Sequence, residues 1–242
     1  MHSNRKLYRI SQRSIALAAA LASSALTASL FGQVRVVTLN ATNTKNTNNG
    51  TISVGPRNGT QPGQRQWMTD ILTAIGTHVG NDPFNTGATT GIAKPVDILC
   101  LQESDGWATT GTAYRDLLNN TIYPGANYQV AAIDGTYTDP QKSTQTILYN
   151  ANALQLIGTA VVGTASGSGQ PRQAVRVQLR PIGYTSASDL YIYNSHYKSS
   201  DDATSRTRRD VEAQAIRTNA DALGANKNII YLGGRKCCNC FL

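Results

Sequence analysis

The chain has 242 residues, 40% of them hydrophobic and 15% charged, with a formal net charge of +8. That length and composition suit one globular domain with a sizeable core, and exclude a disordered chain or a multi-span membrane protein. The charge is not a nucleic-acid footprint by itself, because without residues up to Gly32 it falls to 18 basic against 14 acidic residues, and without Arg235 and Lys236 to +2.

Residues 1–32 have the build of a secretory signal. Arg5, Lys6, Arg9 and Arg13 precede the apolar run 14–22, small residues follow around Ala25 and Ala28, and no acidic residue occurs before Asp70. The rival reading is an uncleaved membrane anchor, but the run is short, Ala-rich and interrupted by Ser23, Ser24, Thr27 and Ser29. A mature chain beginning near Gln33 is expected to be secreted or periplasmic, with no stable membrane span.

Val34 to Asn40 is a β-branched strand ending in a short polar residue, and a lone Asn there is ordinarily a turn former. Ala41 to Gly63, rich in Asn, Thr and Gly, reads as a long loop or a short hairpin around Thr51–Val54. Trp67, Met68, Ile71, Leu72 and Ile75 form a helical stripe within Gln66–Val79 that belongs to the core. A second Gly/Thr/Asn loop, Gly80–Lys94, leads into Pro95–Glu103, an apolar run of strand length ending in Gln102 and Glu103. Glu103 reads two ways: as a metal ligand or general base on the rim of the core, or as the first solvated residue after a buried strand. Cys100, inside that strand, behaves as a small hydrophobe.

Tyr114–Leu118 suggests a short helix, and strands are predicted over Tyr128–Ile133, Thr144–Tyr149, Leu154–Val162 and Ala174–Leu179. Alternating apolar residues in Asp189–Tyr193 lead to Asn194, His196 and Lys198. His196 is one of three histidines, and at a strand end a lone His is more often structural than catalytic. Ala203–Leu223 is the clearest helix, with Val211, Ala215, Ile216, Ala220 and Leu223 assigned to its apolar side. Arg206, Arg208 and Arg209 read as a solvated face balanced by Asp201, Asp202 and Asp210. Asn228–Gly234 is a last strand. Beyond it, residues 235–242 carry Cys237, Cys238 and Cys240, which with no nearby His make no closed zinc site, and a prenylation motif would need Cys where Asn239 stands. This tail reads as a frameshifted or artificially ended frame, or as a genuine Cys-rich terminus.

Helices spaced between more numerous strands imply an α/β protein with two core sheets and helices outside. The order strand-Asn40, strand-Gln102-Glu103, strand-Asn194-x-His196 resembles the endonuclease/exonuclease/phosphatase (DNase I-like) superfamily of metal-dependent phosphoesterases. Thr146–Asn150 looks like the family's mid-chain strand, His196-Tyr197-Lys198-Ser199 is similar to its His-x-Lys-Ser variant, and Arg209–Arg217 looks like the helix before its next core strand. The resemblance spans about residues 34 to 234.

The resemblance implies a four-layer α/β/β/α sandwich over residues 33–234, incomplete at its C-terminal end. It implies that Glu103 binds Mg²⁺ or Mn²⁺, that Asn40 orients the phosphate or joins the metal site, and that His196 hydrogen-bonds the phosphate in the transition state. The family pattern continues with Gly-Asp-x-Asn and a later Asp-His pair, whereas here Gly233-Gly234 is followed by Arg235 and Lys236. With one carboxylate, weak metal affinity and impaired activity are expected. The expected function is hydrolysis of phosphate esters, nucleic acid foremost, by a monomer; the alternative is a non-catalytic binding or cell-surface module that keeps the scaffold.

Overall fold

A computed structural model describes residues 34–41, 64–77, 94–104, 106–135, 144–165, 172–198 and 200–234. The expected leader over residues 1–32, the expected hairpin at 51–54, most of the expected loop at 80–94 and the Cys-rich residues 235–242 lie outside the described residues. Met1–Val34 and Arg35–Leu242 separate as two units, and every element below belongs to the second.

The first sheet has the order β1 (Val36–Asn40), β2 (Ile98–Ser104), β4 (Thr144–Asn150), β3 (Tyr128–Val130), with β1 parallel to β2 and the other pairs antiparallel. The second has the order β5 (Leu154–Val162), β6 (Ala174–Pro181), β7 (Leu190–His196), β8 (Asn228–Gly234), antiparallel except for the parallel β7–β8 pair. Two mixed sheets with intervening helices make the chain an α/β protein.

β2 is buried on both faces, which is why it reads as an unbroken apolar run rather than an alternating one. Leu99 and Leu101 face the helices: Met68 and Leu72 from α1 (Gln64–Thr77), and Tyr114, Leu117 and Leu118 from a helical run built on α2 (Thr112–Leu117). That run is longer than the short helix predicted from sequence, because π-helical turns Trp107–Gly111 and Leu118–Ile122 extend it at both ends. Tyr128 closes this layer, its buried hydroxyl donating to the Val96 carbonyl. Cys100 is fully buried, and burial pushes its thiol far above the ordinary range.

β2 and β4 pack on β7 of the second sheet. The far side of the second sheet, with Val162, Ala174, Tyr191 and Tyr193, is covered by Ile216 and Ala220 of α3 (Ala203–Asp221). Asp202 caps α3, its carboxylate accepting from the Ser205 backbone N–H at 2.9 Å and hydroxyl at 2.8 Å.

The core face predicted for this helix is corrected at two positions. Val211 is 46% exposed while Glu212 is buried, because the inward stripe runs through Ser205, Glu212, Ile216 and Ala220, and Val211 stands about 100° around the helix from Glu212, the nearest of them. The basic side is a solvated face: Arg206 pairs with Asp201 at 3.1 Å, and Arg209 donates to the carbonyls of Lys198 and Ser200. The strand predicted over Tyr128–Ile133 stops at Val130.

Candidate active site

The site begins with parity. Side chains on a strand alternate between faces, so on β7 Ile192, Asn194 and His196 point the same way, opposite to Tyr191, Tyr193 and Ser195. Tyr191 and Tyr193 pack under α3, which leaves Asn194 and His196 facing the first sheet. Asn194 is fully buried and satisfied there. Its Oδ1 accepts from Gln102 Nε2 at 2.7 Å, and its Nδ2 donates to the carbonyls of Leu101 (3.0 Å) and Thr146 (3.2 Å). Gln102 Nε2 also donates to Thr38 Oγ1 on β1 at 2.9 Å. One amide pair thus ties β1, β2, β4 and β7 together immediately below the rim.

Glu103 breaks this alternation. By parity it belongs with Leu99 and Leu101 on the helix side, yet its Oε1 lies 3.1 Å from His196 Nε2. A register shift in the β2–β4 ladder between Leu101 and Ser104, together with a left-handed backbone at Glu103 (φ 53°), re-aims the side chain. Ser104 then resumes pairing with β4, its hydroxyl 2.7 Å from that of Thr146. The Glu103 side chain keeps 29% of its exposure and that of His196 10%, so the pair is reachable from solvent.

Asn40 ends β1 opposite Gln102, with the Ala41 N–H donating to the Gln102 carbonyl at 2.7 Å. By alternation it shares a face with Thr38, which Gln102 touches, and it is exposed. β8 arrives at the same place: Gly234 pairs with His196, and a Cβ built on Gly234 would lie 3.5 Å from the His196 ring and 3.7 Å from Gln102. Lys198 is half-buried beyond the end of β7.

Sequence reasoning missed Arg172. Its Nη1 lies 2.9 Å from His196 Nδ1, 2.8 Å from the His196 carbonyl and 3.4 Å from that of Tyr197. Its backbone N–H donates to Glu212 on α3 at 2.5 Å. Burial holds the Glu212 carboxyl above its ordinary range, against the opposing pull of that backbone hydrogen bond and the nearby arginines. No local pattern marks Arg172, which follows a Gly/Ser-rich stretch of sequence and meets His196 only through the tertiary fold.

Among the described residues, no group of three or more His, Cys, Asp or Glu gathers to hold a metal. Glu103 and Asn40 offer one carboxylate and one amide oxygen. Each is an oxygen donor of the kind a hard ion such as Mg²⁺ takes, an ion that needs one or two carboxylates and leaves its other positions to water and phosphate oxygens. A separate concavity lined by Tyr193, Ser195, Tyr197, Ile216 and Tyr231 opens on the α3 side of the second sheet, away from Glu103.

No family model matches the chain, and no curated protein matches it in sequence. Its fold does match solved structures. An endonuclease/exonuclease/phosphatase from Bacteroides vulgatus superposes with a TM-score of 0.52 at 13% identity, over 84% of this chain and 66% of that one. An endonuclease/exonuclease/phosphatase family protein from Bacteroides thetaiotaomicron gives 0.49 at 14% identity, over 83% and 62% of the two chains. A humanized D. rerio TDP2 gives 0.48 at 11% identity, over 83% and 61%. The chain spans 61% to 66% of the length of these three solved structures. The Bacteroides vulgatus match identifies the fold as that of the endonuclease/exonuclease/phosphatase proteins.

Proposed function

We propose that this chain is an exported, metal-dependent phosphoesterase of the endonuclease/exonuclease/phosphatase superfamily that hydrolyses phosphodiesters, with nucleic acid the favoured substrate. The observation that carries the reading is the Glu103–His196 contact at 3.1 Å, reached through a bulge and a left-handed glutamate. Backbone strain of this kind persists where the surrounding structure enforces it, and it concentrates at functional sites. A merely solvated residue at the end of β2 would need neither device. The basic leader supports export, and the mild positive charge beyond it suits a phosphate-bearing polymer.

Glu103 and Asn40 would hold Mg²⁺ or Mn²⁺. The bound ion would neutralise charge on the phosphoryl oxygens and lower the pKa of a coordinated water. The Asn40 amide, exposed at the end of β1, donates to a phosphate oxygen and fixes its orientation. His196, held by its neighbours at the end of β7, hydrogen-bonds through Nε2 to a phosphoryl oxygen as negative charge builds there.

The test is turnover of DNA, RNA and a bis-aryl phosphodiester with Mg²⁺ or Mn²⁺. Glu103→Gln and His196→Ala should each lower kcat/KM by about 10²- to 10³-fold, the usual loss for one preorganised electrostatic group. Hydrolysis that survives both a chelator and Glu103→Gln would place the chemistry elsewhere; binding of nucleic acid without any turnover would identify a non-catalytic module.

A further inference from the structure

We infer that Arg172 is a positioning residue that locks His196 in the tautomer carrying its proton on Nε2. A guanidinium only donates hydrogen bonds, and it stays protonated at any pH the protein survives. Arg172 Nη1 carries two hydrogens; the His196 carbonyl at 2.8 Å and His196 Nδ1 at 2.9 Å lie nearer to it than the Tyr197 carbonyl at 3.4 Å. Nδ1 must therefore present its lone pair. A proton there would face a donor with no acceptor between them. With Nδ1 accepting, the proton of the neutral ring resides on Nε2, the atom 3.1 Å from Glu103.

Arg172 is itself held at both ends. Its main chain is fastened to α3 through Glu212, and its side chain bridges the ring and the backbone carbonyl of the same histidine. Two residues later the chain enters β6, which is hydrogen-bonded to β7. α3 thus positions the imidazole from behind without touching substrate. The use of that orientation in turnover rests on the phosphoesterase reading: an Nε2–H donates to a phosphoryl oxygen, whereas an Nε2 lone pair would repel it.

The experiment is two-bond ¹⁵N–¹H correlation NMR of the imidazoles, with His196 assigned through the signal lost in His196→Gln. The folded protein should show His196 as the Nε2–H tautomer. Arg172→Met should give a mixture of tautomers, and Arg172→Lys, which retains a donor-only cation, should restore the single form. An Nδ1–H tautomer in the unsubstituted protein, or an unchanged spectrum in Arg172→Met, overturns the inference. Should Arg172→Met not fold, the unsubstituted spectrum and the lysine variant still decide it.

These measurements need neither metal nor substrate, so their outcome is independent of whether the protein hydrolyses phosphodiesters. Where turnover is found, Arg172→Met should lower kcat by about 10- to 100-fold, the usual cost of losing a group that orients a site histidine, and leave KM little changed. A shifted tautomer with unchanged kcat would remove Arg172 from the reaction.

Discussion

A glutamate at φ 53° is held against its own preference, because an L-residue in the left-handed region sets its Cβ against the following carbonyl. Glycine carries no such penalty. Glu103→Gly and Glu103→Ala both delete the carboxylate and its contact with His196, so comparing them isolates the backbone. The glycine variant should be the more stable of the two by about 1 kcal/mol, read from urea midpoints at a common m-value. Equal midpoints, or a more stable alanine variant, would mean that Glu103 is not held left-handed in solution. On the proposed reading both variants should also lose turnover, since the strained residue would then be the metal ligand as well. The strand sequence shows a carboxylate at this position; the turn that aims it is invisible there, because the pattern Leu99-Cys100-Leu101-Gln102-Glu103 would place Glu103 under the helices.

α3 has an acidic residue on its inward face, with a consequence for stability against pH. Burial raises the Glu212 carboxyl in the folded chain above its value of about 4.3 in an unfolded one. Between those two values the folded state binds more protons than the unfolded state, so stability falls as pH rises through that window and then levels. Glu212→Gln keeps an acceptor for the Arg172 N–H and removes the titration. Its urea midpoint should therefore gain on that of the unsubstituted protein between pH 4 and pH 7. A difference that is constant over this range, or that narrows, would count against a buried, reluctantly ionised Glu212. The periodic pattern of α3 is plain in the sequence, but its phase is not: Val211 and Glu212 are adjacent, and hydrophobicity alone selects the wrong one for the interior. What selects Glu212 is a backbone N–H, that of Arg172, needing a partner inside.

Across the whole chain, a basic and apolar first 32 residues precede a remainder of low net charge. If the leader is a cleaved signal, mass spectrometry of protein recovered outside the cell should find its N-terminus between Ala25 and Gln33. Intact Met1 in a membrane fraction would instead identify an anchor. Among the described residues, no helix is long and apolar enough to cross a membrane. By itself the sequence determined the α/β class, most of the strands and both long helices, because hydrophobic periodicity and β-branched runs are local signals that chain neighbours suffice to produce. It also marked Asn40, Glu103 and His196, since each ends an apolar run in a polar residue. Only the tertiary structure decided that His196 and Glu103 meet, that Gln102 and Asn194 clamp four strands beneath them, and that Arg172 and Glu212 stand behind the histidine. Those contacts join residues 24 to 93 positions apart, through a bulge and a sheet-to-sheet register that pairwise packing sets and no local pattern encodes.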